Sequence, residues 1–329
     1  VTVNETLRAV APISNARPAL RMTKDKNRLL WAAAALLALP LLIRAYVGTR
    51  TSYAGDDFCW TMYLKEKGFF DLQWDIYDHA FGRWASTALL SVVPLGSGHW
   101  LLPGLSIVLL LGGVAWLCYE LTHQAALSLL GAECLVIAML AAAPGASLEP
   151  LYWQSGMLTY LPPFIVASVG AAAALRLGSA PIAFATAFLA AGFNEPFMTM
   201  EVVVLIAGVL AIRGQRRRLV AAALVGAMLS ALIVVAAPGN VLRHELTDPR
   251  PIWEVGLLTL ANTGLLVLRV AAPAGVLCFV IGLALARYVV DPLASISRWH
   301  VLGGAVVLAL VGVAPSVYGV ENLTDRTAL

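Results

Sequence analysis

The adjacent carboxylates in Gly55-Asp56-Asp57-Phe58-Cys59-Trp60 are the strongest chemical feature of the chain. In such a pair one acid can act as general base while the other orients it or holds a divalent metal ion. The same residues also suit a helix start, with Asp56 or Asp57 as N-cap of a helix over 58–65 and Trp60 and Tyr63 at a lipid–water boundary. Asp75, His79 and Arg83 recur at every fourth residue, which predicts one helical face. Arg83 can grip a phosphate with its planar fork and His79 can assist, although a surface ion-pair ladder ending in a snorkelling Arg has the same spacing. Glu149 shares a segment with Tyr152, Trp153 and Gln154. Aromatic faces beside polar groups suit a sugar ring, and they equally suit interfacial anchoring. Asn194-Glu195-Pro196 marks a tight hairpin whose two polar residues can reach a substrate. Ala237-Pro238-Gly239-Asn240 reads as a turn, after which Arg243 and His244 offer cations; Asn240 and Arg243 are the candidates for phosphate contact there.

The elements that must position these residues are apolar helices. Of the 329 residues 60% are hydrophobic and only 12% charged, against about 25% charged in soluble domains. Lipid is the solvent that suits such a chain, and backbone groups in lipid must be satisfied within helices or closed barrels. The apolar runs lack the strict alternation of barrel strands. The expected fold is therefore all-α: a polytopic transmembrane helical bundle of about nine spans near 29–47, 101–118, 125–143, 161–176, 181–195, 197–212, 219–237, 272–289 and 300–318. Short interfacial or re-entrant helices are expected near 84–97 and 255–270. Cys59, Cys118, Cys134 and Cys278 show no CxxC or Cys/His metal spacing and read as small hydrophobes.

Charge orients the bundle. Residues 1–28 form a basic tail, expected to be cytoplasmic and partly disordered, and the first apolar run reads as a retained signal-anchor. With that tail inside, thirteen of 22 Lys/Arg fall on the cytoplasmic side, the Ile212–Arg218 loop (IRGQRRR) being the strongest anchor. Thirteen of 19 Asp/Glu then fall outside, and every motif above comes out on that face, the first large outer loop covering about 48–100. Glu133 and Glu201 lie within spans, where an ionised carboxylate costs at least ~2.5 kcal/mol unless it is paired or faces water. They are functional candidates, or interhelical hydrogen-bond donors in protonated form. The final segment, with Glu321, Asn322, Asp325 and Arg326, ends without an obvious terminator, and further chain is expected after it.

No Walker motif or Gly-rich loop after a strand is present, and nothing suggests nucleic acid. Outside the cytoplasm an activated sugar must arrive attached to a lipid. YAGDDFCW, GRW, YWQSGMLTYL, FNEP and APGNVLR together resemble a group of bacterial membrane proteins placed in the GT-C superfamily of integral-membrane glycosyltransferases, over roughly residues 29–329. The resemblance implies a bacterial cytoplasmic-membrane enzyme that uses a polyprenyl-phosphate-sugar donor and a glycan, lipid or protein acceptor. It implies Asp56 or Asp57 as base and Arg83 and Arg243 as phosphate ligands. A lipid flippase or proton-coupled transporter using Glu133, Glu201 and Arg269, and a non-catalytic envelope-assembly subunit, are the rival readings.

Overall fold

The structure is a computed structural model and describes residues 24–51, 53, 55–93, 99–142, 151–246, 251, 253–254 and 256–261. Among them helix is the only regular structure. The elements are α1 (Lys24–Gly48), α2 (Asp56–His79), α3 (Trp84–Val92), α4 (Leu102–Thr122, led by a 3-10 turn over His99–Leu101), α5 (Ala125–Ala142), α6 (Gln154–Tyr160), α7 (Pro162–Leu177), α8 (Ala180–Ala191), α9 (Glu195–Ala211), α10 (Gln215–Val235) and α11 (Pro238–Leu246).

Local sequence explains most of the boundaries. Proline occupies the first turn of α4, α7, α8 and α9, where its missing N–H costs nothing. Side chains of Ser179 and Asn194 cap α8 and α9. Left-handed residues at His123 and Gly178 close α4 and α7.

Four helices are long and apolar enough to cross a bilayer: Lys24–Gly48, His99–Thr122, Gln154–Leu177 (α6 and α7 together) and Gln215–Val235. The predicted spans at 125–143, 181–195 and 197–212 also coincide with helices, but shorter ones. The 12 residues of α8 cover about 18 Å, well under the ~30 Å of a hydrocarbon core. The predicted spans at 272–289 and 300–318 lie outside the described residues, as does all of 255–270 except 256–261.

α4 packs on α5 and α7, α8 on α7 and α10, α9 on α10, and α1 on α4 and α5. Leu110, Val136, Leu151 and Met157 form one core. Ala187, Ala191, Ala227 and Val234 form another, against which Trp84 packs. Small residues let α8 and α10 approach closely; a Cβ on Gly226 would overlap the Phe184 carbonyl. Large apolar side chains of α1, including Leu29, Leu36, Leu42 and Ile43, are left uncovered by the described residues, as a lipid-facing helix requires.

Helix α2, kinked at Gly68, and the short helices α3, α6 and α11 gather at one end of the bundle as a cap. The basic Arg213–Arg218 segment lies at the other end, where Arg176 approaches Glu120 at 3.9 Å. Helix α3, in the 84–97 stretch expected to be interfacial or re-entrant, is packed inward rather than lying at a surface. Its Ala85, Ser86, Thr87, Leu90 and Ser91 are buried, which is affordable because each hydroxyl bonds a carbonyl one turn back.

Candidate functional site

The cap holds two polar joints. The first is centred on Asp57. Gly55, not either acid, is the N-cap of α2, and Asp56 and Asp57 occupy its first turn. Adjacent helical positions diverge, so Asp56 is exposed while Asp57 is 3% exposed. The Asp57 Oδ1 accepts from the Ser155 backbone N–H at 2.8 Å and from the Ser155 hydroxyl. The carboxylate thus caps α6 across the fold, 98 residues away. Beside it lies a small cleft of about 10 Å³, room for roughly one water molecule, lined by Asp57, Thr61, Leu90, Val93, Gln154 and Ser155. The Gln154 amide closes one wall, donating from Nε2 to the Val93 carbonyl at 2.9 Å.

The second joint is centred on Arg83. The ladder expected over Asp75, His79 and Arg83 stops one step short. α2 ends at His79, and Arg83 stands beyond it at the head of α3. Asp75 is shared between Lys67 at 2.6 Å and His79 at 3.5 Å, with His79 two-thirds exposed. Arg83 turns away and donates from Nε to Glu195 Oε2 at 2.7 Å; the two side chains are 17% and 24% exposed. Its guanidinium lies 5.2 Å from the Phe81 ring centre.

The break after His79 is enforced by packing. A Cβ on Gly82 would overlap the Val234 carbonyl, and one on Gly239 would overlap the backbone at Ala80. The HAFGRW turn and the APGN turn therefore seat directly against each other, which only glycines permit. Tyr77 Oη donates to the Ile233 carbonyl at 3.0 Å, and Trp84 Nε1 to Ser230 Oγ at 3.3 Å, completing the seam.

Asn194 links the two joints. Its Oδ1 accepts from Phe197 N at 2.9 Å and its Nδ2 donates to the Thr159 carbonyl at 2.9 Å, so a 2%-exposed amide ties the head of α9 to the end of α6. Asn240 likewise turns inward, donating to the Val234 carbonyl at 2.7 Å. Trp153 is the half-buried N-cap residue of α6. Tyr152, just before it, donates to the Arg44 carbonyl at 3.2 Å. Burial pushes its phenol above the usual range, with the Arg44 guanidinium pulling the other way. Arg243 lies on α11, three positions after Asn240. Glu149 lies outside the described residues, as does Arg269. Glu133 is 2% exposed and Glu201 part-buried; each has an Oε2 without a hydrogen-bond partner among the described residues.

The polar segments on 55–60, 79–84, 152–155, 194–196 and 237–240 are thus joined at one end of the bundle. α3 sets the spacing between the joints, with Arg83 at its head and the Asp57 cleft at its tail, about 14 Å apart along the axis. Among the described residues no three His, Cys, Asp or Glu side chains gather as a metal site. Of the adjacent acids, Asp56 is exposed and Asp57 buried. Sequence reasoning did not single out Ser155, His99 or Gln73, which donates to Ser91 across the α2–α3 hairpin at 2.9 Å. The available signal for Ser155 was its place ahead of an apolar run, a helix-start position. Compared with family models, with curated proteins and with solved structures, the chain has no match.

Proposed function

We propose that the chain is an integral-membrane glycosyltransferase of GT-C type, moving a sugar from a polyprenyl-phosphate donor to an acceptor hydroxyl at the capped end of the bundle. The observation that carries this reading is the joining of an anchored carboxylate and an anchored guanidinium, from distant parts of the chain, on one helix-length frame. The capped end is read as extracytoplasmic because the Arg213–Arg218 segment lies opposite it. With the spans expected from the sequence, this reading makes the chain a multi-pass protein of the bacterial cytoplasmic membrane.

In this mechanism the lipid phosphate leaves with the electron pair of the broken C1–O bond, and the acceptor oxygen forms the new bond to C1. Asp57, at the cleft wall, takes the proton from that oxygen, a contribution of about 10²–10⁴ in rate for a placed base. One base and a single displacement invert the anomeric centre. Arg83 engages Glu195 through Nε alone among the described residues, so its terminal amino groups can meet phosphate oxygens and stabilise the growing charge. Arg243, on the adjoining α11, is the second phosphate ligand. Asn194 and Asn240 act by holding the frame, and Asp56, exposed beside the base, faces the incoming acceptor. His79 remains a candidate for phosphate contact, and Trp153 and Glu149 for substrate contact.

The test is turnover of polyprenyl-phosphate sugars by the purified chain in nanodiscs. Wild-type protein should consume at least one such donor, and Asp57→Asn should lower the rate at least a hundredfold without loss of donor binding. Arg83→Ala should weaken donor binding. Failure of the wild type to bind or consume any donor in the panel ends the transferase reading.

A second reading, proton-coupled transport, is favoured by one observation: Glu133 and Glu201, on the apolar helices, each have an Oε2 without a hydrogen-bond partner among the described residues. Glu133→Gln and Glu201→Gln should leave sugar transfer intact but abolish proton-driven transport. Transport by wild type without sugar turnover would favour this second reading.

A further inference from the structure

The end of the bundle opposite the cap carries a cluster of cations that sugar transfer does not use. Arg213, Arg216, Arg217 and Arg218 stand where α9 turns into α10, and all four are exposed. A fifth, Arg176, lies in the last turn of α7 and is 64% exposed. Packing brings it to the same place. A Cβ on Gly178, the residue that closes α7, would lie 3.8 Å from the Gln215 Nε2, and Ala174 of α7 shares a core with Leu219 of α10.

Charge compensation is scarce at this junction. Among the described residues Glu120 is the single acid that reaches any of the five, at 3.9 Å from Arg176. The cluster gains nothing from the helix it heads, because cations in a first turn oppose the helix dipole. Apolar surface adjoins the charge: Leu177, next to Arg176, and Leu210 and Ile212, just ahead of Arg213, are all exposed. The depth is defined as well. Gln154–Leu177 and Gln215–Val235 are both long enough to span, and one ends where the other begins, so the arginines sit at headgroup level. A ligand for this surface needs anionic oxygens for the guanidinium forks and an apolar body for the leucines. A free anion supplies only the first, whereas an acidic phospholipid supplies both.

We propose that the junction of α7, α9 and α10 is a binding site for an anionic phospholipid, its phosphate held by the arginine cluster and its acyl chains laid along Leu177 and Leu210. Membrane orientation asks only that cations lie on this side. It does not ask that they be drawn from two separate helices and set beside bare apolar side chains. The site rests on the membrane-spanning reading and is independent of sugar transfer.

The experiment is native mass spectrometry of the full chain in a nonionic detergent, titrated with phosphatidylglycerol or phosphatidylcholine. A micelle has no sides, so the outcome does not depend on how a variant inserts. Each cation at an anionic lipid surface strengthens binding roughly fivefold, so the first phosphatidylglycerol should bind at least about tenfold more tightly than phosphatidylcholine. Replacing Arg216, Arg217 and Arg218 together by Gln should remove that preference, while Arg50→Gln, exposed near the opposite end of α1, should keep it. Arg176→Gln should weaken binding about threefold, which a disturbance confined to the 212–218 turn would not produce. Soluble glycerol phosphate, which has the phosphate and lacks the chains, should not displace the lipid. Equal affinity for the two lipids, a preference that survives the triple substitution, or an Arg176→Gln variant that binds as wild type does overturns the shared site. Displacement by glycerol phosphate at matched concentration overturns the lipid assignment in favour of a free-phosphate site.

Discussion

At Asp57 a buried carboxylate accepts from two donors at a helix start, whereas at Arg83 two part-exposed charges hold each other. The first arrangement is rigid. These donors are a backbone N–H and the hydroxyl of the same residue, and neither can swing to another partner without unwinding α6. The second is exchangeable, since Glu195 is a long side chain at the rim and a competing anion can take its place on the guanidinium. A base must be placed before its substrate arrives, and a phosphate site must open to receive one. The difference between the joints matches those two demands.

The largest effect should follow from breaking the rigid joint. Asp57→Ala leaves the Ser155 N–H and hydroxyl buried without their acceptor, and charge-assisted bonds of this kind contribute about 1.5–3 kcal/mol each. The variant should lose at least about 2 kcal/mol of stability, read from reversible unfolding in mixed micelles. Asp57→Asn keeps an acceptor oxygen and should recover most of that loss while remaining inactive. If Asp57→Ala unfolds with the wild type, the carboxylate is not what fastens α6 to α2.

The next effect separates the exchangeable joint from its foundation. The ion pair stands on the Gly82–Val234 and Gly239–Ala80 contacts, in which backbone meets backbone and neither side can yield. Gly82→Ala should cost about 1–3 kcal/mol by overpacking, more than Arg83→Ala, and should displace α11 from the turn. Crosslinking between cysteines placed at 80 and 240 would report that displacement. Equal stability of Gly82→Ala and wild type would mean that the seam is looser than its geometry.

How much of this was legible in the sequence depends on range. Helices α1, α4, α7 and α10 follow from their apolar lengths, and the Asn194-Glu195-Pro196 start of α9 follows from capping rules. The grouping of the polar motifs on one side followed from charge alone. The identity of the partners did not. Ser155 is 98 residues from Asp57 and Glu195 is 112 from Arg83, and no local period encodes such pairings. The fourfold spacing of Asp75, His79 and Arg83 suggested a ladder, but tertiary contact at Gly82 ended the helix first. The 84–97 stretch was too short to span, which left interfacial and re-entrant placements open; the hydroxyls of α3, satisfied within the helix, let it pack inward.

The smallest effect, and the one that most sharpens the contrast, is the coupling within the ion pair. A double-mutant cycle of Arg83→Met and Glu195→Gln should give roughly 1 kcal/mol or less, since both groups keep contact with water. That coupling should shrink as salt is raised from about 0.05 to 0.5 M, because part-exposed pairs are screened. The Asp57–Ser155 bond, between two buried residues, should respond far less to the same change. Phosphate should reduce the Arg83–Glu195 coupling more than chloride at equal ionic strength, because the fork of Arg83 can bind it directly. A coupling indifferent to both salt and phosphate would make the second joint as fixed as the first, and Arg83 would then be a strut rather than a receiver of phosphate.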